Sequence, residues 1–183
     1  MLDIPLIDGL HIKKLDAMDQ KDIWLANELD KDEMISGDDG YLYPINIIFK
    51  DRHYLNGNHL LRSDIYQSPY AIYCDKVPVG FMEISDIVFT NMVEVTYALL
   101  KQYRGKGYAF KTLKEVSRQI LLDQLNDVQS VSLVIDLKNE ASQNVAMRAG
   151  FVSDGLSEEE HNRQGYIGYQ KTKTMLLREN KFN

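Results

Sequence analysis

Cysteine is almost absent. Cys74 is the only one in 183 residues, which excludes an intrachain disulfide framework and a zinc site built on several thiolates. Proline is nearly as scarce at four, and the eleven glycines are scattered, so no Pro/Gly/Ser-rich linker or low-complexity tract divides the chain. No apolar run approaches the roughly 18 residues of a membrane span. The opening Met1-Leu2-Asp3-Ile4-Pro5 has neither the basic region nor the continuous apolar stretch of a secretory leader. Cytoplasmic residence, without a membrane, is the expectation. An excess of positive charge is also lacking: 21 basic against 27 acidic residues leave a net charge of −6, which argues against a whole-surface nucleic-acid binder. His11, His53, His59 and His161 show no metal-ligand spacing. What remains, at 44% hydrophobic and 26% charged, is an ordinary globular composition. The length suits a single domain over residues 1–183, which can bury about 70% of its unfolded surface.

The charge that is present is uneven. Residues 1–90 carry 8 basic and 16 acidic side chains, and residues 91–183 carry 13 and 11, so an acidic front half precedes a slightly basic rear half. Along the chain, residues 10–18 read as a short strand. Asp19 can cap a helix running to about Met34, and residues 44–62 look like a second helical stretch broken at Asn56-Gly57. The period then changes. Tyr70–Cys74 and Val79–Ile84 are apolar, β-rich runs separated by Asp75-Lys76-Val77-Pro78, a hairpin signal, and Met92–Leu100 is a third such run. Ala109, Leu113, Val116 and Ile120 recur at helical spacing within residues 107–122. Val131–Leu137 suits a central strand covered on both faces. Asn139 is placed to cap a short helix ending at Gly150, with final strands at Phe151–Ser153 and about Tyr166–Leu176 and an exposed loop at Glu158-Glu159-Glu160. The class is α/β (α+β) with a mixed sheet.

The chemistry concentrates at residues 94–109. A strand ends, a turn with Gly105 and Gly107 follows, and a helix begins. Glycines let the backbone turn and approach a ligand closely, and a helix start offers unpaired N–H groups with the positive end of its dipole, an arrangement suited to phosphate. The P-loop pattern is absent, and the third glycine of a dinucleotide fingerprint is replaced by Phe110.

Gln102-x-x-Gly105-x-Gly107 resembles the pyrophosphate-binding motif of the GNAT acetyltransferases, close to their RimJ/RimL-like branch, and Asn139-x-x-Ser142 with Gly150-Phe151 is similar to that family's following segment. The resemblance covers about residues 10–177. It implies a mixed, mostly antiparallel sheet flanked by helices, with acetyl-CoA as co-substrate and no metal. By the same resemblance, backbone N–H groups of Arg104, Gly105, Lys106, Gly107 and Tyr108, with Gln102 and Ala109 in the same segment, hold the pyrophosphate. The backbone at Leu99 and Leu100 pairs with the pantetheine arm, the Leu99 N–H serving the thioester oxyanion. Asn139, Ser142 and Asn144 face the pantetheine and sulfur. Lys101, Arg104, Lys106, Lys111, Lys114 and Arg118 supply cations of which some attract phosphates.

The reaction implied is transfer of an acetyl group to a primary amine, on a protein N-terminus or a small molecule, by direct attack. The amine must be neutral: deprotonation at pH 7 costs about 4.6 kcal/mol for a lysine but only about 1.4 kcal/mol for an α-amine. Glu94, on the strand before the turn, is the expected base. The tyrosine that many GNAT enzymes carry seven residues after the motif asparagine is replaced by Ala146, so Ser142 becomes the candidate proton donor, with Tyr97 and Tyr166 as alternatives. That replacement also admits a catalytically silent module that binds acetyl-CoA. The resemblance leaves a homodimer open.

Overall fold

The structure, a computed structural model, describes residues 3–6, 8–16, 18–32, 67–87, 90–123 and 127–179. Eight strands among them form one sheet: β1 (Asp3–Pro5), β2 (Leu10–Lys14), β3 (Gln67–Cys74), β4 (Val77–Asp86), β5 (Met92–Leu99), β6 (Ser130–Asp136), β7 (Val152–Ser153) and β8 (Tyr166–Thr172). The spatial order is β1-β2-β3-β4-β5-β6-β8-β7. Every neighbouring pair is antiparallel except β5 and β6, which run parallel. The helices are α1 (Gln20–Leu29), α2 (Tyr108–Leu122), α3 (Glu140–Arg148), α4 (Glu158–Gln164) and α5 (Lys173–Glu179).

Side-chain alternation divides the core between the two faces of the sheet. On one face Ala71, Tyr73, Phe81 and Ala98 meet Leu25, Ala26 and Leu29 of α1. On the other, Met82, Ile84, Val93, Val95, Val131 and Leu133 meet Leu113, Val116 and Ile120 of α2, Ala146 of α3 and Leu176 of α5. The helical spacing at Leu113, Val116 and Ile120 is therefore the stripe that seats α2 on the sheet.

Local signals place the elements well. Asp19 caps α1 by accepting from the Lys21 N–H, and Asn139 caps α3 by accepting from the Ser142 N–H at 3.1 Å. The hairpin turns on Asp75-Lys76 alone, since Cys74 pairs with Val77. Four expectations need correction. The first helix ends at Leu29, where its last buried side chain lies, and Met34 and residues 44–62 fall outside the described residues. Glu158-Glu159-Glu160 opens α4, because Ser157 and Glu160 form a reciprocal capping box, where a loop had been expected. The final strand stops at Thr172, whose hydroxyl takes the Met175 N–H and starts α5. Lastly, β6 is not covered on both faces: Val134, on the α1 side of the sheet, is 47% exposed.

Candidate active site

The parallel pair β5/β6 is short. Met92, Val93 and Glu94 pair with Ser130, Val131 and Ser132, and beyond that β5 stays with β4 while β6 stays with β8 as far as Asp136–Tyr166. The two strands diverge and leave a gap in the sheet. Because the Leu100 N–H donates to the Val79 carbonyl at 3.0 Å, alternation turns the backbone of Leu99, Tyr97 and Val95 away from β4 and towards the gap. Of the expected pair, then, Leu99 alone offers its N–H there. Leu100 is committed to Val79 and, through its carbonyl, to the Tyr103 N–H at 2.8 Å. The Leu99 carbonyl already accepts from Arg104 Nε at 3.0 Å.

At the end of β5 a 3-10 turn, Lys101–Tyr103, leads to Gly105 and Gly107, whose φ angles are +75° and +79°. These left-handed values strain any residue with a Cβ. A Cβ built at either glycine meets nothing within 4 Å, so both face open space. Gly107 is the N-cap of α2, and no side chain caps that end. The first N–H groups of α2 have no acceptor one turn back within the helix, and the dipole adds to their attraction for an anion. The Arg104 N–H, expected at the pyrophosphate, already donates to the Lys101 carbonyl at 3.3 Å.

Across the gap, α3 hangs from the end of β6. Ser142 and Ala146 are one turn apart on the same side of α3, and Ala146 is fully buried. Asn139 spends its side-chain oxygen on the cap, and Asn144 is exposed, about 200° around the helix from Ser142. Tyr97, on the diverging part of β5, packs into the α2/α3 core. Its hydroxyl is buried with no hydrogen-bond partner among the described residues. Burial raises the Tyr97 phenol above its ordinary pKa, and the neighbouring Ser142 side chain pulls the other way.

Glu94 lies on the opposite, α1 face, together with Glu83, Ser85 and Thr96, because Ser85 pairs with Glu94 and Glu83 with Thr96. Burial raises the pKa of the Glu94 carboxyl. It does the same at Glu83, where the Ser85 hydroxyl works the other way and the charge of Glu94 adds to the rise. Glu83 was not anticipated. An acidic residue inside the apolar run of β4 was visible, but its position diagonal to Glu94 depends on strand register.

A family profile described as acetyltransferase (GNAT) domain matches residues 49–152. The chain belongs to the GNAT acetyltransferase family. A search of curated proteins by sequence returns no match. Among solved structures, the RimL ribosomal α-N-protein acetyltransferase in complex with coenzyme A is similar with a TM-score of 0.71 at 19% identity, over 93% of this chain and 98% of that one. An acetyl transferase from Salmonella typhimurium, which modifies an N-terminal serine of a 50S ribosomal subunit protein, has a TM-score of 0.69 at 19% identity over 93% and 99%. A variant of spermidine N-acetyltransferase SpeG from Vibrio cholerae has a TM-score of 0.68 at 16% identity over 94% and 98%. At these identities the likeness is one of fold.

The residues of this GNAT domain suit CoA: two left-handed glycines facing open space, an uncapped helix start, an open strand edge and an orphaned phenol beside it. Gln102 is exposed in the 3-10 turn, and Tyr108 and Ala109 form the first turn of α2. The basic cluster is largely engaged within the protein. Arg104 pairs with Asp32 at 2.5 Å, Lys111 with Asp8 at 2.7 Å and Arg118 with Glu115 at 2.6 Å. Lys106 and Lys114 lie over the rings of Tyr103 and Phe110. Among the described residues no group of three His, Cys, Asp or Glu could hold a metal ion, and no helix is long and apolar enough to cross a membrane.

Proposed function

We propose that the chain transfers the acetyl group of acetyl-CoA to a primary amine by direct attack. The observation that carries this reading is the gap between β5 and β6, which ends at the two-glycine turn and the uncapped start of α2. The N–H groups of Gly105, Lys106, Gly107, Tyr108 and Ala109 take the pyrophosphate. The edge of β5 at Tyr97 and Leu99 receives the pantetheine arm as an added strand, and the Leu99 N–H faces the thioester oxygen. Glu94, held on the other face, takes the proton from the incoming amine. Glu83 beside it adds negative charge that suits a cationic acceptor. The two faces of β5 thus separate donor from acceptor, so no covalent enzyme intermediate is needed, and Cys74 lies outside the gap at the end of β3.

The structurally similar proteins act, by their names, on a protein α-amine and on spermidine, and both acceptor kinds fit the chemistry proposed for Glu94. The test is acetylation of a panel of N-terminal peptides, polyamines, aminoglycosides and small metabolite amines, followed by release of CoA thiol. Turnover of one class supports the reading and names the acceptor. Tight CoA binding without turnover of any amine would instead mark a silent acetyl-CoA-binding module.

A further inference from the structure

We propose that Tyr97 donates the hydrogen bond that stabilises the CoA sulfur as it leaves, a role that rests on the acetyl-transfer reading above. A buried phenol without a partner is a cost that a folded protein normally avoids, and such groups call for an explanation. The Tyr97 hydroxyl is one of these. Its position supplies the explanation. Tyr97 stands on β5 beyond the last residue paired with β6, its side chain lies on the α2/α3 face, and it reaches Ser142 on the helix that follows β6. The phenol therefore stands at the diverging part of β5, on the face where the pyrophosphate turn delivers its ligand.

One alternative falls away on geometry, the other on acidity. Tyr166 pairs with Asp136, in register with Ser132 and Glu94, and so lies on the α1 face, where the amine enters. Ser142 carries an alcohol, a weaker donor than a phenol, and its place beside Tyr97 suits orientation of the phenolic O–H. Burial keeps that O–H protonated at neutral pH, so it is always in donor form. The balance is closed. The amine nitrogen bonds to the acetyl carbon, the C–S bond breaks with its electron pair on sulfur, Glu94 removes one proton from nitrogen and returns it to solvent, and the thiolate, held by the Tyr97 hydrogen bond, takes one proton back from solvent.

Tyr97→Phe tests this against the wild type on an amine that the wild type acetylates. The expected result is a kcat lower by about 10- to 100-fold, the range of one hydrogen bond to a charged group, with the Kd for CoA changed by no more than about twofold. The Tm should be unchanged or higher, since a buried unpartnered hydroxyl is removed. A second measurement needs no acceptor: the thiol of bound CoA, followed by thiolate ultraviolet absorbance, should ionise about one pH unit lower on the wild type than on Tyr97→Phe. Equal kcat or equal thiol ionisation overturns the proposal. So does a fall in Tm accompanied by matching loss of CoA affinity, which would make the hydroxyl structural. A wild type that neither binds CoA nor transfers acetyl fails at the functional reading itself and takes this role with it, whereas equal turnover by both proteins removes Tyr97 alone.

Discussion

Glu94 is a carboxyl that burial holds above the ordinary value of 4.5, and a base must be ionised to work. Activity should therefore fall on acidification at a pH above the usual carboxylate range, visible as a displaced acidic limb in a kcat/KM profile. Glu94→Gln should lower kcat by about 100- to 10,000-fold, the usual scale for a positioned base, with CoA affinity unchanged by calorimetry. Full activity would remove Glu94 from that role. Glu83 tests the environment rather than the chemistry. Its folded pKa is raised, so its contribution to stability is present below the unfolded value and lost as pH rises through the folded one. Glu83→Gln should accordingly raise the Tm at pH 7 relative to the wild type and lose that advantage towards pH 4. Asp22 is fully buried and accepts from Tyr73 Oη at 2.7 Å and from the Asp16 N–H at 3.0 Å, with Lys13 Nζ 3.5 Å away. Asp22→Ala strands those donors and should cost about 2–4 kcal/mol in denaturant unfolding. Glu94 could be named as a candidate from the sequence because it stands where the resembled branch carries a glutamate, just before the motif. Glu83 and Asp22 were not, since the partners of each come from other strands or helices.

At the scale of elements, the turn from Lys101 to Gly107 was readable because its demands are local: two residues with positive φ before a helix point to glycine. Gly107→Val imposes a Cβ on a φ of +79° in the space where a phosphate would approach. It should weaken CoA binding by about tenfold or more, through strain and lost hydrogen bonds of roughly 1.5–3 kcal/mol each. Unchanged affinity in a titration would place the pyrophosphate elsewhere. The capping box of α4 was equally local, since Ser157 and Glu160 stand three residues apart in the sequence, but the charge run between them suggested a solvated loop. Further anchoring of α4 comes from a longer-range contact, His161 Nε2 lying 2.7 Å from Asp154 Oδ1. The gap between β5 and β6 was not readable from either strand, because divergence is a relation among four strands.

The whole molecule gives the charge asymmetry a second meaning. Front-half carboxylates meet rear-half cations in the pairs Asp8–Lys111 and Asp32–Arg104, so part of the imbalance ties the two halves of the chain together. Surface pairs of this kind contribute only about 0–1 kcal/mol each. They do remove side chains from the set free to attract phosphates, leaving the backbone of the turn as the main anion site. Acetyl-CoA at about 100 times its Kd should add about 2.7 kcal/mol of stability. For a chain of this size that is a Tm rise of about 5–10 °C, and no shift at millimolar ligand would count heavily against the functional reading. By itself the sequence determined much of what depends on neighbours along the chain: the stripe of α2, the caps at Asp19 and Asn139, the two-glycine turn and the order of elements from β3 to α3. Only the tertiary structure decided which residues share a face. It set Glu94 beside Glu83 and Tyr97 beside Ser142, and it took the Leu100 N–H away from the gap. Strand register and divergence are fixed by packing between distant segments, which no local pattern encodes.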